Sequence, residues 1–130
     1  MNEIGLSQVY DAYLDCLNAQ AWDQLGDFVA EDTVHNGRPR GLAGYRAMLV
    51  QDYRDIPDLR FVAEKIICQP PILAARLRFD CSPRSQLLGL HVDGRKVSFF
   101  EHVIYEFEHD KIREVWSILD KQAIEKSLEV

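Results

Sequence analysis

Residues 97–120 read VSFFEHVIYEFEHDKIREVWSILD: two runs rich in branched and aromatic side chains, flanking the polar stretch Glu108–His109–Asp110–Lys111. Such a pattern predicts two long antiparallel strands joined by a tight turn. The stretch 59–68, LRFVAEKIIC, is a further strand, stopped by Pro70 and Pro71. In ILAARLRFD, residues 72–80, Leu73, Ala75, Leu77 and Phe79 alternate with Arg76, Arg78 and Asp80, as in a half-buried strand. The region 81–95, with Pro83, Gly89 and Gly94, is the least regular.

Helices precede these strands. Tyr10, Tyr13, Leu14 and Leu17 form an apolar stripe at helical spacing, with Ser7 as the expected N-cap. A shorter helix carries Trp22, Leu25, Phe28 and Val29. A third carries Tyr45, Met48, Leu49 and Tyr53 and ends before Pro57. Residues 33–41 between them form a loop, with room for a short strand at its start, and 121–128 close with a helical turn. Helices first and antiparallel strands afterwards predict an α+β fold, a single domain over 1–130. A curved sheet covered by helices would enclose a pocket.

Composition narrows the function. The chain has 130 residues, 15 Lys+Arg against 21 Asp+Glu, and a formal charge of −6, which argues against a nucleic-acid partner. No apolar run is long enough to span a membrane, and the N-terminus lacks the pattern of a secretion signal. Cys16, Cys68 and Cys81 are widely spaced and expected to be unpaired small hydrophobes in the cytoplasm. The four histidines have no metal-ligand spacing, so no metal site is expected.

The candidate chemistry lies in the 97–120 hairpin. On strict alternation, Ile112, Glu114, Trp116, Ile118 and Asp120 share one face, while Arg113, Val115, Ser117 and Leu119 share the other. Trp116 and Ile118 suggest that their face is enclosed. Asp120 then ends an apolar wall, where burial raises a carboxylate's pKa toward that of a useful acid or base. If Glu108 opposes Ile112, paired positions sum to 220 and His102 sits diagonal to Asp120 on the same face. A two-residue turn at His109–Asp110 makes the sum 219 and puts His102 on the other face. The sequence leaves both open. Asp120 also reads as the N-cap of the final helical turn, and His102 as a core histidine with a backbone partner. Glu101 and Glu106 are expected to face solvent or to pair with Arg76 or Arg78. His35 and Asn36 can point into the cavity from their loop; of the phenols Tyr10, Tyr13, Tyr45 and Tyr53, most are expected in the core and one or two can offer a hydroxyl to a ligand, Tyr13 first.

The same stretch, GRKVSFFEHVIYEF followed by DKIREVWSILDKQAI, resembles the C-terminal half of SnoaL-like proteins, the ester cyclases; Phe107, Asp110, Lys111, Ile112, Glu114, Trp116 and Asp120 match the family pattern. Upstream, FVAEDTVHNG, GLAGY and IPDLRF follow in the family's order. The chain departs at Asp80–Pro83, where many relatives carry a histidine-containing segment. The resemblance implies a nuclear-transport-factor-2-like cone, a bent antiparallel sheet wrapped by N-terminal helices, and a homodimer formed through the outer sheet face. It implies no cofactor. It also implies acid/base chemistry on a small hydrophobic carbonyl compound: cyclisation through an enolate, or a related lyase or isomerase reaction. Asp120 would be the acid/base, with His102, His35 and Asn36 orienting substrate beside Tyr13, Trp116 and Ile118. The alternative is a non-catalytic module on the same fold that binds small molecules or a partner.

Overall fold

The computed structural model describes residues 2–129. Helix α1 (Glu3–Asn18) starts earlier than its apolar stripe suggests. Asn2, not Ser7, caps it, its side-chain oxygen accepting from the Gly5 N–H at 2.8 Å. Asn is among the best N-caps, and Glu3 behind it complements the helix dipole. Leu6, Tyr10, Tyr13, Leu14 and Leu17 are buried along one face of α1. The expected second helix is only a 3₁₀ segment (Trp22–Asp27). The chain then enters strand β1 (Val29–His35), where branched residues return. Helix α2 (Gly41–Asp55) follows and buries Tyr45, Leu49 and Tyr53.

Strands β2 (Val62–Gln69), β3 (Ile72–Cys81), β6 (Val97–Glu108) and β7 (Lys111–Leu119) pair in antiparallel fashion, and β1 joins the far edge parallel to β7, giving the order β1-β7-β6-β3-β2. That parallel edge strand is the one departure from the expected all-antiparallel sheet. The sheet is curved and open, with the N-terminal helices across its concave side. A separate small hairpin, β4 (Gln86–Leu87) and β5 (Leu90–His91), occupies the irregular region. Helix α3 (Lys121–Ser127) closes the chain. Among the described residues no helix is long and apolar enough to cross a membrane.

The β6–β7 hairpin combines both expected registers. Its turn is the two-residue one, with His109 and Asp110 at positive φ (52° and 63°), as a type I′ turn requires. Phe107 pairs with Ile112 and Glu108 with Lys111. A bulge then adds one residue to β7, so that Glu106 faces Glu114, Ile104 faces Trp116 and His102 faces Ile118. The bulge also corrects the alternation. Ile112 and Val115 are both buried, because the extra residue between them resets the phase. Val115, Ser117 and Leu119 therefore do not oppose Ile112 as strict alternation predicts. Val115, Ser117 and Leu119 follow Ile112 onto the concave side and border the cavity there. Glu114, Trp116 and Ile118 point to the convex face, where Trp116 is 39 % and Ile118 73 % exposed. The expected enclosure of the Trp116 face is thus corrected by a single inserted residue.

The core lies between the concave face and α1 and α2. Leu73, Leu77, Phe79, Phe99, Val103, Tyr105 and Phe107 supply the sheet side. Each contributes about 1.5–3 kcal/mol by leaving water.

Candidate functional site

The concave face does not fill completely. A cavity of about 370 Å³ remains between β6, β7 and α2, within the size range of small-molecule sites. Two periodicities build its main walls. Phe99, Glu101, Val103 and Tyr105 stand two apart on β6, and Tyr45, Met48, Leu49 and Asp52 lie on one stripe of α2. Phe61 and Phe79 extend the aromatic wall, with rings 5.3 Å apart and edge to face. Leu87 and Leu88, from the small hairpin, border the opening. Leu88 (φ 50°) and Gly89 (φ 78°) form the tip of its turn.

Glu101 is the polar exception on an otherwise apolar wall. It faces inward, not toward solvent or Arg76, which corrects the expectation for it. Burial pushes its carboxyl pKa up, and a hydrogen bond from the Ser117 hydroxyl partly offsets this. Ser117 is itself held by Asn36. The Asn36 amide oxygen accepts from the Ser117 N–H (2.8 Å) and its Nδ2 donates to the Ser117 carbonyl (3.1 Å). Asn36 thus acts as a strand mimic, made possible by its left-handed backbone (φ 48°). Asp52 faces the same space from the helix. Burial, the charge of Glu101 and that of Asp55 raise it to about 6, opposed by Arg40. The four ion pairs among the described residues all lie elsewhere, so neither cavity carboxylate has a paired cation.

Four phenols lie beneath. The Tyr13 and Tyr45 hydroxyls are 2.7 Å apart, and the Tyr10 hydroxyl donates to that of Tyr105 at 3.1 Å. Burial drives all four pKa values up, so they stay protonated and able to donate. His35 packs edge to face on Tyr45 (6.1 Å). Burial, aided by the charge of Arg40, lowers its pKa and favours the neutral ring.

The sequence-predicted residues therefore divide. Tyr13, His35 and Asn36 line the cavity. His102, Trp116 and Ile118 share the convex face. There His102 Nε2 lies 2.7 Å from Arg76 Nη1. Since arginine only donates, the ring nitrogen accepts there. The Arg76 guanidinium also stacks over Phe100 at 3.7 Å and pairs with Glu64 at 3.0 Å. Asp120 is the N-cap of α3, accepting from the Ala123 N–H at 3.1 Å, while its own N–H donates to the Phe100 carbonyl. It does not border the cavity with His102, for the phase reason given above. Glu101, Asp52, Ser117 and Tyr105 went unpredicted as site residues. The signal for Glu101 was present: it is the one charge in the alternating series Phe99, Glu101, Val103, Tyr105, Phe107. Among the described residues, no three His, Cys, Asp or Glu side chains gather as a metal site would need.

The fold has recognisable counterparts. A SnoaL-like polyketide cyclase from Agrobacterium tumefaciens is 57% identical, with 99% of this chain and 100% of that one covered and a TM-score of 0.95. TsrD from Streptomyces laurentii superposes with a TM-score of 0.85 at 19% identity, over 98% of this chain and 97% of its own. IdmH from Streptomyces antibioticus does so at 0.82 and 18%, over 96% and 99%. These two share the fold. No curated protein matches the chain. The family model for SnoaL-like polyketide cyclases matches residues 7–128, nearly the whole described length, and the chain belongs to that family.

Proposed function

We propose that the protein is an acid/base catalyst acting on a small hydrophobic carbonyl compound, with Glu101 as the base. The observation that carries this reading is a carboxylate without a paired cation, set in an aromatic cavity within reach of neutral hydroxyl donors. Burial raises the Glu101 pKa, which makes its carboxylate a stronger base than a solvated one. In the Tyr13–Tyr45 pair one hydroxyl donates to the other, and the remaining O–H is available to an oxygen that becomes negative when a proton leaves the neighbouring carbon. Donors set in advance for developing charge are the usual source of such stabilisation. His35, kept neutral, adds a polar contact at the rim. Cyclisation through an enolate, isomerisation and elimination all begin with this step, and the family membership favours the first.

The test is exchange of the C2 hydrogens of 1-tetralone in deuterated water, followed by NMR. The wild-type protein should accelerate it. E101Q should slow it by about 10²–10⁴-fold, while D120N, altering a helix cap, should cost no more than a few-fold. Retained exchange in E101Q, or a loss confined to D120N, overturns the assignment. Tetralone binding with no exchange by the wild-type protein would instead favour a binding module.

Two further parts of the reading concern the whole protein. Two copies pair through the convex face, which presents Ile67, Ile104, Trp116 and Ile118 to solvent. The cytoplasm is the proposed location, since three free cysteines suit a reducing compartment.

A further inference from the structure

The mechanism above leaves one cavity carboxylate unused. Asp52 projects from α2 on the stripe of Tyr45, Met48 and Leu49, while Glu101 projects from β6 on the facing wall, and both border the same space. We propose that Asp52 is a second catalytic group, a proton donor to a departing hydroxyl, so that the site dehydrates β-hydroxy ketones as well as enolising them. The inference rests on the reading of Glu101 as base.

Geometry and electrostatics favour this division of labour. Two carboxylates in one apolar space do not ionise together, because each charge opposes the other. Glu101 has the Ser117 hydroxyl to stabilise its anion. Its negative charge, behind burial, is among the causes that raise Asp52 to about 6, so that Asp52 still holds a proton in mildly acidic solution, where the pair is poised to act. The pair is thus set with the base on the sheet and the acid on the helix. A substrate lying between the walls presents its α-hydrogen to one and its β-oxygen to the other.

The step balances without a further reactant. The Glu101 carboxylate takes the α-proton, and the C–H electrons form the enolate, whose oxygen accepts from the free hydroxyl of the Tyr13–Tyr45 pair. The carbonyl then re-forms and the enolate electrons become the α,β double bond. The β C–O bond breaks as the Asp52 proton passes to the leaving oxygen, which departs as water. Glu101 is left protonated and Asp52 ionised, and a proton returning from Glu101 to Asp52 through water restores the pair. The substrate class is a β-hydroxy ketone on an aromatic or other flat apolar frame.

The test compares two rates on two probes: C2 exchange of 1-tetralone, and conversion of 3-hydroxy-1-tetralone to 1-naphthol and water, followed by naphthol fluorescence above the uncatalysed rate. The wild-type protein should do both. In D52N the ratio of dehydration to exchange should fall at least thirtyfold, and D52E, which keeps the acid, should restore it to within a few-fold. An unchanged ratio in D52N overturns the inference, as does a wild-type protein that exchanges without dehydrating. A wild-type protein that does neither overturns the underlying reading of Glu101 and the inference with it.

Discussion

At the scale of single residues, the site depends on a short relay: Asn36 holds the backbone of Ser117, and Ser117 holds the carboxylate of Glu101. A hydrogen bond to a carboxylate favours its charged form. S117A therefore leaves Glu101 harder to ionise. The acidic limb of the pH–rate profile for 1-tetralone exchange should move to higher pH, with several-fold loss along that limb and recovery above it. A uniform loss at every pH would mean that Ser117 only packs. The relay also shows why single residues were hard to place from sequence. Asn36 sits in an ordinary turn motif, and its role depends on a strand 81 residues away. Glu101, by contrast, stood out on its strand, yet a glutamate one position from a histidine reads as surface unless the inner face is known.

Among the elements, the alternation of β3 and the stripes of α1 and α2 were legible because each local period matches the face that the fold buries. The β6–β7 hairpin was not, because one bulged residue reverses the phase of everything after it. No local pattern marks Arg113 as the extra residue. Its place is set by β1, whose Asp32 pairs with its guanidinium at 3.0 Å and whose Thr33 hydroxyl donates to its carbonyl. The β4–β5 hairpin was equally hidden, since two-residue strands carry no period. Its tip places Leu88 in a left-handed conformation that costs a branched side chain about 1 kcal/mol. L88G should relieve that cost and remove an apolar cover from the cavity. Its thermal midpoint should hold or rise, while KM for a tetralone substrate rises about three- to tenfold. Unchanged KM would show that the tip does not touch ligand.

The whole molecule pays for its site in stability. Asp52 has a folded pKa near 6, above its ordinary value of 3.8. Between these values the folded state binds more protons than the unfolded chain, so stability falls as pH rises through this window. The full effect is at most about 3 kcal/mol. D52N should match the wild-type protein in urea unfolding at pH 4 and exceed it at pH 7.5. Equal stability at both pH values would mean that Asp52 is well solvated. On the outside, the convex face sets Lys65 and Arg76 on the β2–β3 side and Glu106 and Glu114 on the β6–β7 side, around an apolar centre. I118E should shift the protein from dimer to monomer in sedimentation velocity without lowering its thermal midpoint. A wild-type protein that sediments as a monomer would remove the pairing.

The Asn36 clip has a spectroscopic consequence. The Ser117 amide lies within a strand, yet its acceptor is the side chain of an exposed turn. Its hydrogen should trade places with solvent deuterium each time that turn loosens, long before the sheet opens. One amide near the end of β7 thus becomes a clock for the support of the cavity carboxylate, slowing when a bound molecule holds the turn closed.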